Sequence, residues 1–274
     1  MTTTPIRQHP LDKLLRTEYL PHIWCPGCGL GIILGTLLRN LSKSGLDLNK
    51  TVFISGIGCT GRAAGYVKLD SFHVTHGRAL PFATGLKLAN PDLKVIVFSG
   101  DGDLAAIGGN HFIHAARRNI DMTVICVNNF TYGMTGGQFG PTTPEKARTS
   151  TSLRGMSEKP FNIPYLAAAS GAVYIARWTA VHVAQMDKAF GEAIAKKGFS
   201  MVEVISPCPT YFGRLNSQAT GLDMMKYYRK NSVVEHGANV ADVDIELNGK
   251  IIIGKFIDID RPYIPRKQDE ANGE

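Results

Sequence analysis

The sequence predicts an α/β fold, a doubly wound and mostly parallel sheet, and three observations carry that prediction. Short unbroken runs rich in β-branched residues, Thr51–Ser55, Val95–Phe98, Thr123–Val127, Val173–Ile175 and Met201–Ile205, are too short for helices. They read as strands buried on both faces. Stretches of helical period separate them, the alternation of a parallel sheet with crossover helices. Several runs end in glycine, aspartate or asparagine, at the carboxyl edge where such sheets bind ligands.

The elements follow in order along the chain. Gly29–Leu41 has the spacing of a helix packed behind a C-x-x-C loop, and Pro81–Ala89 that of a second one stopped by Asn90-Pro91. From Leu104 to Arg118 apolar residues again recur at helical spacing, with Arg117 and Arg118 in the last turn and Asn119 behind them. Thr142–Pro160 is polar, which predicts a surface loop that covers the site or meets a partner. Thr179–Gly198 is helical in period. Beyond Arg214 the pattern changes to a short helix near Leu222–Arg229, a polar connection and one late strand, Lys250–Ile259. We expect the charged end, Gln268–Glu274, to be frayed. Residues 214–274 read as a C-terminal extension, either a subunit-docking arm or an extra hairpin on the same domain.

Composition narrows the function classes. The chain has 274 residues, 44% of them hydrophobic and 19% charged, which is ordinary for a globular protein. It holds no run of about 18 apolar residues, and its first twenty residues lack the apolar core of a secretory signal. We therefore expect a cytoplasmic protein with no membrane role. The net charge of +7 points to an anionic partner or substrate. Lys and Arg are scattered without a nucleic-acid motif, so nucleic acid is not the expected partner.

The chemistry concentrates at two strand ends. Val95–Phe98 runs into Gly100-Asp101-Gly102-Asp103, and Thr123–Val127 into Asn128-Asn129. Asp101 and Asn129 offer hard oxygen atoms that suit one Mg²⁺, an ion that keeps phosphate oxygens or water among its ligands. The glycines beside Asp101 allow close approach of a diphosphate, and the following helix offers its free N–H groups. No G-x-G-x-x-G opens that helix, so a dinucleotide fingerprint does not fit. Gly-Asp-Gly, a helix and strand, then Asn-Asn resembles the thiamine-diphosphate motif. By that resemblance Asp101, the Asn129 side chain and a carbonyl near Thr131 hold the metal. Gly100, Gly102, Asp103, Gly133, Met134 and Thr135, with Cys59 and His76, are the candidate cofactor contacts, and Gln138 is a further polar candidate.

Five cysteines in a chain expected to be cytoplasmic argue for metal or redox chemistry. Cys25-Pro26-Gly27-Cys28, Cys59 and Cys208 lie on three separate loops, while Cys126 sits inside an apolar strand and reads as a core thiol. Four loop cysteines can hold a 4Fe-4S cluster or a structural zinc. Zinc ribbons pair two C-x-x-C motifs and only one is present. A thioredoxin-like pair leaves Cys59 and Cys208 unexplained.

Taken in order, Trp24-Cys25-Pro26-Gly27-Cys28-Gly29, Gly58-Cys59-Thr60-Gly61-Arg62, Thr75-His76-Gly77-Arg78-Ala79 and the Gly-Asp-Gly site resemble the β subunit of 2-oxoacid:ferredoxin oxidoreductases. The likeness runs from about Tyr19 to Arg214. It implies a thiamine-diphosphate and iron–sulfur domain over residues 1–213, with Cys25, Cys28, Cys59 and Cys208 as the 4Fe-4S ligands. His76 and Arg78 match a family motif whose role is contact with the cofactor or substrate carboxylate, and Arg62, just after the cluster loop, can pair bidentately with a substrate carboxylate. Cys208-Pro209-Thr210-Tyr211-Phe212-Gly213-Arg214 and Gly61-Arg62 look like members that act on 2-oxoglutarate, with pyruvate or a broad range of 2-oxoacids as the alternative.

The resemblance further implies a partner. Thiamine enzymes supply an activating Glu from a second, pyrimidine-binding domain, and this sequence has only the diphosphate half. An α subunit should bring the Glu, and the chain alone should be inactive. With it, the family oxidatively decarboxylates a 2-oxoacid with coenzyme A and passes electrons singly through the cluster to ferredoxin, or runs the reverse carboxylation. Two other classes remain open from the residues: a cluster-free thiamine decarboxylase, and a cluster-bearing electron-transfer subunit without thiamine.

Overall fold

The computed structural model describes residues 9–265, so Gln268–Glu274 lies outside the described residues. The strands are β1 (Thr51–Ser55), β2 (Asp70–His73), β3 (Lys94–Gly100), β4 (Met122–Asn128), the short pair β5 (Thr131–Tyr132) and β6 (Gln138–Phe139), β7 (Tyr174–Thr179), β8 (Phe199–Ile205), β9 (Ser232–Val234) and β10 (Ile251–Asp258). The α-helices are α1 (Leu30–Lys43), α2 (Ala79–Ala89), α3 (Gly109–Arg117), α4 (Ile163–Ser170), α5 (Val183–Ala195) and α6 (Gly221–Asn231).

Eight strands form one sheet in the order β2-β1-β3-β4-β8-β7-β10-β9. Its first six strands are parallel, β10 runs antiparallel to β7, and β9 is parallel to β10. The apolar runs are continuous because both faces are covered. Phe53, Phe98, Ile125 and Val204 pack with α1 and α5 on one face, and Ile54, Val97, Val124 and Met201 with α2, α3 and α4 on the other. No helix among the described residues is long and apolar enough to cross a membrane.

The predicted α/β sheet is therefore present, and its departures from expectation have physical causes. β7 extends to Thr179, four residues past the predicted Ile175. Arg177 interrupts the apolar run, yet it is buried because its Nε lies 2.6 Å from Glu203 on the neighbouring β8. The helix expected over Leu104–Arg118 is split into a π-helical turn, Gly102–Ala106, and α3. The loop at Gly77 packs at this break, where a Cβ on Gly77 would come 2.9 Å from the Gly108 nitrogen. The stretch 142–160, expected to be a polar surface loop, is irregular but not superficial. Thr142, Thr143, Ala147 and Thr149 are buried in it, and the Thr142 and Thr143 hydroxyls reach Asn128 and the Phe130 carbonyl at the sheet end.

The segment beyond Arg214 adds to the same core. Tyr228, Ile251 and Ile253 pack with α1 and α5, and β10 hydrogen-bonds β7. A capping box between Thr220 and Asp223 starts α6. The N-terminus of α6 packs against the C-x-x-C loop, where a Cβ at Gly27, already at φ +79°, would stand 2.9 Å from the Gly221 Cα. Only glycine fits there.

The buried Arg177–Glu203 pair predicts a stability signature. Arg177→Met leaves the carboxylate uncompensated and should cost about 3–5 kcal/mol in urea unfolding, whereas Arg177→Met with Glu203→Leu should recover most of it. A loss below about 1 kcal/mol for the single change would show that the carboxylate finds another partner.

Candidate active site

The carboxyl ends of β1, β3 and β4 open on a cleft of about 640 Å³. Asp101 caps β3 on one wall, and Asn129 to Thr135 form the other as β4 gives way to the β5–β6 hairpin. Parallel strands leave unpaired backbone and short loops at this edge, which is why the polar strand-end residues meet here. The sequence candidates Gly100, Asp101, Gly102, Asp103, Asn129, Thr131, Gly133, Met134, Thr135, Cys59 and His76 all line the cleft. Gln138 closes the hairpin instead, bonding Thr135 through both amide atoms.

Asp101 is the most constrained of these. Its side chain is buried, and burial pushes its carboxyl up to about 6, against the hydrogen bond from Thr142. Thr142 also stands 2.9 Å from Asn128 Oδ1. Its single hydroxyl proton serves the Asp101 carboxylate, while Asn128 Oδ1 accepts from Phe130 N at 3.1 Å. Asn128 in turn donates to Glu203 at 2.8 Å, so its amide is fixed with the oxygen toward the site. Gly140 borders the carboxylate: a Cβ there would lie 3.5 Å from Asp101 Oδ2 and 3.9 Å from the Thr131 nitrogen. Asn129 Oδ1 accepts weakly from Thr131 N at 3.3 Å and keeps lone-pair capacity. A desolvated carboxylate and an amide oxygen beside a glycine are the kind of hard oxygen atoms that a divalent cation takes.

A second cleft of about 570 Å³ adjoins the first and shares Cys59, Asn129, Gly133 and Met134 with it. Cys25, Cys28, Cys59 and Cys208 line it, while Cys126 is buried in the core on the α2–α4 face of the sheet. The Trp24 indole donates to the Cys59 carbonyl at 2.7 Å and ties the C-x-x-C loop to the loop after β1. Gly133 lies between two thiols, since a Cβ there would be 3.3 Å from Cys59 Sγ and 3.7 Å from Cys208 Sγ. Burial first, and then the other thiols, push Cys59 up to about 12. Cys28 is pushed up to about 11, mostly by burial. No Lys or Arg among the described residues lines the cleft. Thiolates here need a bound cation. No three Cys, His, Asp or Glu among the described residues are gathered to hold a single metal ion, whereas four thiols around one open cleft suit a larger cluster.

The structure does not bring every candidate to the cleft wall. Arg62 and Arg78 are exposed and line neither cleft. Arg62 leaves from a 3₁₀ turn whose other side is buried, and the Arg78 guanidinium folds back at 3.4 Å onto the carbonyls of His76 and Gly77. Sequence reasoning missed Thr142, 41 residues from Asp101, and Tyr132, whose ring covers Gly102. Nothing in a polar loop distinguishes Thr142 from its neighbours.

Comparisons with known proteins follow the same lines. Residues 56–204 match the family of thiamine pyrophosphate enzymes, C-terminal TPP binding domain. The chain is 51% identical over 259 residues to the 2-oxoglutarate synthase subunit KorB of Methanothermobacter marburgensis, covering 94% of this chain and 90% of that one. It is 49% identical over 255 residues to the KorB subunit of Methanocaldococcus jannaschii, covering 93% and 94%. Among solved structures it resembles 2-oxoglutarate:ferredoxin oxidoreductase from Magnetococcus marinus, with 2-oxoglutarate, coenzyme A and succinyl-CoA bound. The TM-score is 0.83 and the identity 30%, over 98% of this chain and 90% of that one.

Asp101 predicts a measurable cost of the bare site. Folded, it holds its proton up to about pH 6, and unfolded only to about 4. The folded chain therefore binds the extra proton between those values, and this contribution to stability is lost as pH rises through about 6. In chelator at pH 7.5, Asp101→Asn should stabilise the complex by about 2–3 kcal/mol, with the gain vanishing near pH 4. Calorimetry showing a loss of stability at pH 7.5 would contradict the desolvated carboxylate.

Proposed function

The chain belongs to the family of 2-oxoglutarate synthase KorB subunits, and from that premise we propose how its two clefts serve the enzyme. It is a β subunit of a thiamine-diphosphate-dependent 2-oxoglutarate:ferredoxin oxidoreductase, working with a partner subunit. The diphosphate and an Mg²⁺ bind at the β3–β4 cleft, with Asp101, Asn129 and the Thr131 carbonyl as metal ligands. A 4Fe-4S cluster is held by Cys25, Cys28, Cys59 and Cys208. The observation that carries this reading is the shared wall of the clefts, Cys59-Asn129-Gly133-Met134.

When bound, thiamine diphosphate supplies the electron sink for decarboxylation and the cluster a one-electron acceptor. The chain's own residues do the placing. Thr142 and Asn128 aim the Asp101 carboxylate, Trp24 fixes the Cys59 loop, and Gly133 lets the two clefts approach. Ferredoxin receives the electrons, coenzyme A takes the acyl group, and the partner subunit contributes the activating Glu. The enzyme works in the cytoplasm. The exposed Arg62 and Arg78, on the loops after β1 and β2, serve the second carboxylate of 2-oxoglutarate once the partner closes the site.

Two outcomes test this. Cys208→Ser in the complex should lose the cluster's visible absorbance and its iron while retaining thiamine diphosphate, and Cys126→Ser should keep both. Full iron in Cys208→Ser would remove that ligand from the set. Arg62→Ala should raise KM for 2-oxoglutarate more than for 2-oxobutyrate, and equal effects on both would end its role in substrate choice.

A further inference from the structure

Asp103 stands two residues from Asp101, yet its carboxylate serves a different set of partners. It is buried, with a side chain only 1% exposed. Oδ1 accepts from the backbone N–H of Gly77 at 2.7 Å and of Ile57 at 3.2 Å, and Oδ2 from the Ser99 hydroxyl at 2.5 Å. The remaining neighbour is His76, whose Nδ1 lies 2.6 Å from Oδ1.

These partners determine where the protons are. Two amides already donate to Oδ1 and a hydroxyl to Oδ2, so both oxygens serve as acceptors. His76 must therefore present Nδ1–H to it, which leaves Nε2 as the nitrogen with a free lone pair when the ring is neutral. No hydrogen bond of Nε2 is found among the described residues. The ring is about one-third exposed, on the wall of the cofactor cleft. The Tyr132 ring meets it edge-on at 6.2 Å and limits its swing.

We propose that Asp103 is a positioning residue that holds His76 in the Nδ1–H tautomer, so that Nε2 takes up the proton the reaction releases. This rests on reading the cleft as the thiamine-diphosphate site. The proton follows from stoichiometry. A 2-oxoacid anion, a thiol and two oxidised ferredoxins give a thioester, CO₂, two reduced ferredoxins and one proton. The C–C bond to the carboxylate breaks, the C–S bond forms, two electrons leave to ferredoxin, and the thiol's proton must pass to a base. His76 is the histidine lining the cleft, and its orientation is set by a carboxylate in the manner that fixes other catalytic and metal-binding histidines.

The test uses the assembled complex. Asp103→Asn should lower kcat for 2-oxoglutarate oxidation by tenfold or more in complex saturated with thiamine diphosphate, with KM within threefold. In a His76→Gln background the same change should add less than twofold. ¹⁵N spectra of histidine-labelled complex, with His76 assigned against His76→Gln, should show a protonated-type Nδ1 in the wild type and a tautomer mixture in Asp103→Asn. A bare Nδ1 in the wild type overturns the proposal, and this readout stands even where Asp103→Asn fails to assemble. Undiminished kcat in Asp103→Asn, or full additivity with His76→Gln, also overturns it. A wild-type complex that binds no thiamine diphosphate would instead overturn the functional reading beneath it.

Discussion

Asp101 is a carboxylate that β3 carries out of the sheet into a buried corner of a cleft with no Lys or Arg on its wall among the described residues. A desolvated anion is costly unless something positive meets it, and inside a protein that cost is measured in several kcal/mol. The surrounding structure is arranged around this constraint. Thr142 reaches across from the 142–160 stretch to donate its proton, Asn128 is locked behind it by Glu203, and Glu203 is neutralised by Arg177. Arg177 also donates to the Val243 carbonyl. A continuous buried polar chain thus links the Asp101 corner to the C-terminal segment, and a divalent cation, if bound as proposed, would supply the positive charge this corner lacks.

The second constraint is electronic proximity. Burial raises the thiols of Cys28, Cys59 and Cys208; with Cys25 they line a cleft that holds no Lys or Arg among the described residues and shares a wall with the Asp101 cleft. A cluster-free thiamine enzyme has no use for this gathering, and an electron-transfer subunit without thiamine has none for Asp101 and its supports. The two clefts of the one chain meet along Cys59, Asn129, Gly133 and Met134, where Gly133 adds no side chain between them.

Much of this was legible in the residues, for physical reasons. β1, β3, β4 and β8 were found because buried parallel strands are apolar on both faces, so their runs stand out without alternation. β7 was truncated because Arg177 reads as a surface residue until Glu203 is known to lie beside it. The helix after Asp103 was read through its break, since the packing of Gly77 against Gly108 is a contact between distant loops that local periodicity cannot carry. At the site, strand-end Asp and Asn and the loop cysteines were visible by type and spacing. Thr142 was not, and the outward course of Arg62 and Arg78 was not, because a motif gives residue type and not the direction a side chain takes.

The central claim is that substrate electrons pass from the Asp101 cleft into the four-cysteine cleft of this same chain. The direct measurement is an anaerobic EPR spectrum of the complex with its partner, before and after 2-oxoglutarate is added without coenzyme A. The account predicts a substrate-dependent organic radical together with a reduced-cluster signal that disappears in Cys208→Ser. A complex free of iron under strict anaerobic handling, or a cluster that stays oxidised while 2-oxoglutarate is consumed, would contradict it.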